Sequence, residues 1–120
     1  MRNISFSMTT EAFRRREKTV TRRLGWWSLK PGDLLQGCEK CQGLKKGEKV
    51  VKMGVIRVVS AEPEHLGSMA MHDPGETARE GFPDMTCEQF VDMFCKANAC
   101  GPGITVNRIE FEYVDEVPHV

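Results

Sequence analysis

The chain has 120 residues, 40% of them hydrophobic and 28% charged, with no net formal charge, which fits one globular domain spanning residues 1–120 with its own core. No apolar run approaches a membrane span, and the opening MRNISFSMTTEAF lacks the apolar segment of a secretory signal, so a soluble, cytoplasmic protein is expected. Five cysteines, an odd number without such a signal, argue for free thiols in a reducing compartment rather than a disulfide framework.

NISFSM alternates apolar and polar residues, which predicts a strand with Ile4, Phe6 and Met8 on one face. TTEAFRRR predicts a short helix capped by Thr9 or Thr10. Pro31-Gly32-Asp33 forms a turn that feeds a strand through Leu34 and Leu35. CEKCQGLKKGEK is polar and glycine-containing, hence a loop or hairpin tip. VVKMGVIRVVSA is rich in Val and Ile and predicts a strand, with Gly54 marking a bulge or a close backbone approach. HDPGETAREGF predicts a helix with Asp73 as N-cap, Pro74 at the first helical position, Glu76 at capping-box spacing and Gly81 at its end. MTCEQFVDMFCKANACG predicts a second helix, with Thr86 and Gln89 in a capping box and an apolar stripe of Phe90, Val91, Phe94 and Cys95. ITVNRIEFEYV is a closing strand in which Ile109, Phe111 and Tyr113 alternate with Glu110 and Glu112. DEVPHV, from about residue 115, reads as a frayed tail. Strands early and late with helices between give an α+β chain, and its glycine-marked bends suit a small, partly open barrel.

The zero net charge conceals a polarity. Arg14 to Lys52 holds twelve Lys and Arg against four Asp and Glu, whereas Met53 to the end holds four against twelve. Such halves either neutralise each other on folding or leave a basic face for a polyanion. The basic half also carries RRREKTVTRRLGWW, where six cationic side chains precede the adjacent Trp26 and Trp27. Charge beside stacking surface is how single-stranded nucleic acid is held. Of two adjacent tryptophans in extended chain one faces in and one out, and the outward ring either covers the core or forms a wall for a base.

EKTVTRRLGWWSLKPGDLL, GLKKGEKVVKMGVIRVVS, AREGFPDMTCEQFVDMFCK and NRIEFEYV, in that order from about Ile4 to Val114, resemble an ASCH domain, a branch of the PUA-like β-barrel superfamily. The family signature runs glycine, lysine, glutamate, arginine, and Arg16, Lys18, Thr21 and Arg23 stand at those places. Lysine and arginine match. Threonine in place of glutamate is similar to a branch of small amidohydrolases that deacetylate acetylcytidine, in which a glutamate follows on a helix; Glu80 stands at that place here. The resemblance implies a PUA-like barrel with flanking helices and a basic cleft for a nucleoside or single-stranded RNA. It implies Thr21 as nucleophile, Lys18 as base and Glu80 in support; the basic run and its tryptophans add Arg22, Arg23, Trp26 and Trp27 as candidate ligand-binding residues. The competing expectation is a non-catalytic RNA-binding module using the same cleft.

The chemistry sets conditions on these residues. A threonine hydroxyl is a weak nucleophile until a neighbour removes its proton, and a lysine does that only with its pKa depressed by burial or nearby cations. Lys18 and Thr21 are three apart, so they converge on a helical turn and diverge on a strand. A Lys-x-x-Thr pair in a basic run is equally a surface lysine beside a threonine bonded to local backbone. Cys38 and Cys41 form a Cys-x-x-Cys without the second pair a zinc site requires, and His65, His72 and His119 have no metal spacing, so no metal and no cofactor are expected.

Overall fold

The computed structural model describes residues 1–41, 43–72 and 75–115. Five strands, β1 (Arg2–Ser5), β2 (Val20–Arg23), β3 (Leu34–Cys38), β4 (Lys52–His65) and β5 (Thr105–Val114), form one sheet in the order β1-β3-β4-β5-β2. The β1–β3 pair is parallel and the other three are antiparallel. The sheet curls into a half-barrel with β1 and β2 as its outer strands. Arg23 spans between them, donating from a terminal guanidinium nitrogen to the Ser5 carbonyl at 2.5 Å.

Alternation along β5 sorts two cores onto the two faces of this sheet. Ile109 and Phe111 join Ile4, Phe6, Leu35, Ile56 and Val58 inside the curl, with Phe13 of α1 (Thr10–Arg14) closing it. Phe13 stacks on Phe6 with ring centroids 4.5 Å apart. Its ring lies where a side chain on Gly37 would begin, so β3 has a glycine there because the aromatic plug needs the space. Val106 faces the other way and meets Leu66 and Met69 of a 3-10 helix (Leu66–Met71) and Phe90 and Phe94 of α3 (Cys87–Asn98).

Several expectations are corrected. Met8 continues the alternation on paper, but β1 ends at Ser5 and Met8 is 62% exposed. EKTVT, Glu17–Thr21, expected to be a turn or helix end if Lys18 and Thr21 were to converge, instead leads into the edge strand β2 (Val20–Arg23). The helix through AREGF is a single turn, α2 (Glu76–Arg79), with Gly75 at its N-cap at φ 102°. The expected capping residues Asp73 and Pro74 lie outside the described residues, and Glu76 turns inward instead of capping. The bulge at Gly54 is present, as a register shift opposite Gly37 and Cys38. The capping box of Thr86 and Gln89 forms with both hydrogen bonds. Asp115 is described and exposed; the rest of the expected tail and His119 lie outside the described residues. Among the described residues no helix is long and apolar enough to cross a membrane.

Candidate functional site

Lys18 precedes β2 in extended chain, anchored by the Tyr113 hydroxyl donating to the Lys18 carbonyl at 2.6 Å and by the Thr19 amide donating to the Arg79 carbonyl. Its ammonium turns inward and is 3% exposed. Glu80, immediately after α2, meets it: Lys18 Nζ donates to Glu80 Oε1 at 2.9 Å and also to the Glu80 carbonyl. Gly81, at φ 98°, then turns the chain away against Thr9 and Ala12, where a side chain would collide.

The other Glu80 oxygen, Oε2, accepts from Arg22 Nη1 at 2.9 Å. Arg22 points to the helical side of β2, with no exposed side-chain surface, and is held by three carboxylates: Glu80, Glu76 at 2.6 Å and Glu64 at 3.2 Å. Glu76 also accepts from Arg108 and Arg79. Arg22 is therefore a structural clasp whose cationic charge is consumed inside the protein. Burial pushes the Lys18 pKa down; Glu80 opposes this by charge and hydrogen bond, and the charges of Arg23 and Arg22 add to the lowering, leaving it below its ordinary value.

Thr21 and Arg23 share the inner face of β2, two residues apart. Arg23 Nε donates to Thr21 Oγ1 at 2.9 Å, and its guanidinium carbon stands 5.1 Å from the Phe6 ring centre. Thr21 is 3% exposed. Lys18, Thr21, Arg22, Arg23 and Glu80 all line one cavity of about 400 Å³ at the free edge of β2. Lys18 and Thr21 line the same cavity without a helical turn between them, Lys18 from ahead of the strand and Thr21 from its inner face. The two are not hydrogen-bonded to each other, since Lys18 gives its protons to Glu80 and Thr21 takes its bond from Arg23.

The two tryptophans divide between cavity and solvent, but at a left-handed bend rather than in extended chain. Trp26, at φ 60°, packs on the inner core and lines the cavity, with the Arg2 guanidinium 4.1 Å from its ring centre. The Asn107 amide nitrogen fixes this bend by donating to the Trp26 carbonyl at 2.9 Å. Trp27 is 55% exposed and stands outside the cavity lining. The opposite wall is apolar and comes from α3 and the loop before it: Phe82, Phe90, Met93 and Phe94. Phe90 and Phe94 are legible in the sequence as a core stripe, but nothing in their spacing shows that one flank of the stripe faces a cavity. Nothing in the sequence shows that Glu64 and Glu76 hold Arg22, or that Arg108 shares Glu76 with it.

Among the described residues no cysteine lines this cavity. Cys38 is buried at the end of β3, and burial together with Cys41 beside it pushes its thiol up to about 11. Among the described residues no cluster of three or more His, Cys, Asp or Glu side chains is placed to hold a metal ion.

No family model matches the sequence, and no curated protein matches it. Solved structures match in fold. A protein from Enterococcus faecalis V583, described under the family model DUF984, aligns with a TM-score of 0.63 at 16% identity, over 95% of this chain and 76% of its own. The ASCH domain from Lactobacillus crispatus JV V101 aligns with a TM-score of 0.52 at 13% identity, over 92% of this chain and 77% of its own. At these identities the likeness is one of fold: the chain has the α+β, PUA-like fold of an ASCH domain.

Proposed function

We propose that the cavity binds a nucleoside carrying an acyl group on the exocyclic amine of its base and hydrolyses that amide. One observation supports this above others: Lys18, Thr21 and Glu80, spread over 62 residues of sequence, line a single cavity, with the amine desolvated and its pKa lowered. Thr21 Oγ1 attacks the acyl carbonyl as Lys18 takes the hydroxyl proton. The carbon–nitrogen bond breaks and Lys18 returns the proton to the leaving amine. Water then cleaves the acyl-threonine ester, releasing a carboxylic acid and restoring the hydroxyl. Arg23, already bonded to Thr21, stabilises negative charge on that oxygen. Lys18 must leave Glu80 to reach Thr21 when ligand enters, and Glu80 holds the amine between turnovers. The apolar wall of α3 and the Trp26 ring take the faces of the base.

A second reading is favoured by the hydrogen bonds themselves. Lys18 and Thr21 are each satisfied without the other, as they would be in a module that recognises a base in single-stranded RNA without reacting. Acetate release from acetylcytidine, measured beside ligand affinity, separates the two. Thr21→Val keeps the β-branched shape and is expected to abolish turnover while leaving affinity nearly unchanged. Lys18→Arg keeps charge but cannot lose its proton near neutral pH, and is expected to cost about 10²–10⁴-fold in rate. The rate of the natural protein should rise with pH through the lowered Lys18 pKa, because the neutral amine is the base. Binding without turnover at any pH would leave recognition as the function.

A further inference from the structure

Three cations line the cavity, and they are not equally matched. Lys18 is paired with Glu80, and Arg22 with Glu64, Glu76 and Glu80. Among the described residues Arg23 makes no salt bridge. Of its five N–H groups one goes to the Thr21 hydroxyl and one to the Ser5 carbonyl, both neutral oxygens. Phe6 closes one side of the guanidinium. Glu80 and then Cys41 are the groups whose charge acts on it, and both Glu80 oxygens are already held by Lys18 and Arg22. Arg23 is partly exposed rather than buried, and a guanidinium with donors to spare matches a carboxylate or phosphate edge.

We propose that Arg23 makes the cavity an anion-binding site beside Thr21, taking a carboxylate or phosphate oxygen of the ligand in its ground state. The assignment rests on this cavity being the ligand site proposed above, and it adds the class of ligand: an anionic one. Two sources share that chemistry. Amide hydrolysis liberates a carboxylate at Thr21, and an acyl group ending in a carboxylate brings one in; a nucleotide brings a phosphate. A donor reserved for the oxyanion of a transition state has a different signature, because it does not discriminate between ligands by their ground-state charge.

The test is equilibrium binding to the intact protein with charge-matched pairs: acetate against acetamide, and cytidine monophosphate against cytidine. The anionic member of at least one pair is expected to bind roughly ten- to a hundredfold more tightly, as a charge-assisted hydrogen bond implies, and the pair that shows it names the source. Arg23→Gln should erase that preference. Arg23→Lys, which keeps the charge but loses the fork, should retain it in weakened form. Arg15→Gln, an exposed cation outside the cavity, should leave it unchanged. Because Arg23 also joins β1 to β2, cooperative thermal unfolding is recorded for each variant. Should Arg23→Gln fail to fold, Arg23→Lys and the natural protein still decide the question. Equal affinity within both pairs, or a preference that survives Arg23→Gln, overturns the assignment. The readout is independent of turnover. A charge preference without acetate release leaves the anion site standing and removes the amidohydrolase, and acetate release without a charge preference does the reverse.

Discussion

Glu76 is 1% exposed and accepts hydrogen bonds from Arg22, Arg79 and Arg108. Burial pushes its pKa up, but the hydrogen bonds from Arg108 and Arg22 and their charges prevail, lowering it from 4.5 to about 2. The sign follows from linkage. The folded state holds this carboxylate as an anion where the unfolded chain protonates it, so its stabilising contribution is complete above about pH 4.5 and is lost as pH falls toward 2. Melting temperatures measured across that interval should fall steeply in the natural protein and more shallowly in Glu76→Gln. At neutral pH the same variant leaves buried guanidinium groups short of an anion and should lose about 3 kcal/mol. A melting profile of equal slope in both proteins would mean that Glu76 titrates alike folded and unfolded. The roles proposed for Lys18, Thr21 and Glu80 were open to sequence reading because these residues resemble a family motif. That of Glu76 was not, since an acidic residue at the start of a helix is ordinarily assigned to capping.

α3 stands at the junction of core and cavity, so its termination signals bear on the site. Thr86→Ala removes the hydroxyl that accepts from the Gln89 amide and should cost about 1 kcal/mol in denaturant unfolding. β3 offers a sharper case. Gly37→Ala places a methyl in the Phe13 ring and should destabilise by about 1–3 kcal/mol, with Phe13→Leu in the same chain recovering part of the loss. If Gly37→Ala is silent, the plug yields more readily than its packing implies. β5 and α3, with strong periodicity, were legible, and β3 was legible from the turn that feeds it. β2 was not: four residues of Val, Thr, Arg and Arg, with Val20, Thr21 and Arg22 all buried, do not alternate in polarity. β4 runs past its expected end at Ala61 and through Pro63. The proline is tolerated because β3 no longer pairs there, so the strand has β5 as its partner along that stretch.

Across the whole molecule the polar halves of the sequence fold onto each other in part. Lys18 and Arg22 from the basic half are consumed by Glu64, Glu76 and Glu80 from the acidic half, and Arg16 meets Asp115 at the surface. Lys45, Lys46 and Lys49 stay exposed on the loop between β3 and β4. The salt dependence of any RNA binding should therefore reflect fewer charges than the sequence excess suggests. Replacing these three lysines with glutamine should reduce the slope of log affinity against log salt by about 2 for single-stranded RNA, equally for all sequences. An unchanged slope would place the phosphate contacts elsewhere.

Hydrophobic periodicity, turn residues and capping pairs are local, and they set the α+β class, the main strands and the third helix before any contact is known. The resemblance to the ASCH signature also pointed to Lys18, Thr21 and Arg23, which line the cavity. What spacing cannot carry is pairing across the chain. Whether Arg22 faces a ligand or three carboxylates, whether Lys18 donates to Thr21 or to Glu80 62 residues away, and which of two tryptophans reaches the cavity all depend on the curl of the sheet and the seat of α2 against it. Those contacts are set by burial: a charge removed from water takes whichever partner the fold brings within reach, and here that leaves Arg23 between two neutral oxygens.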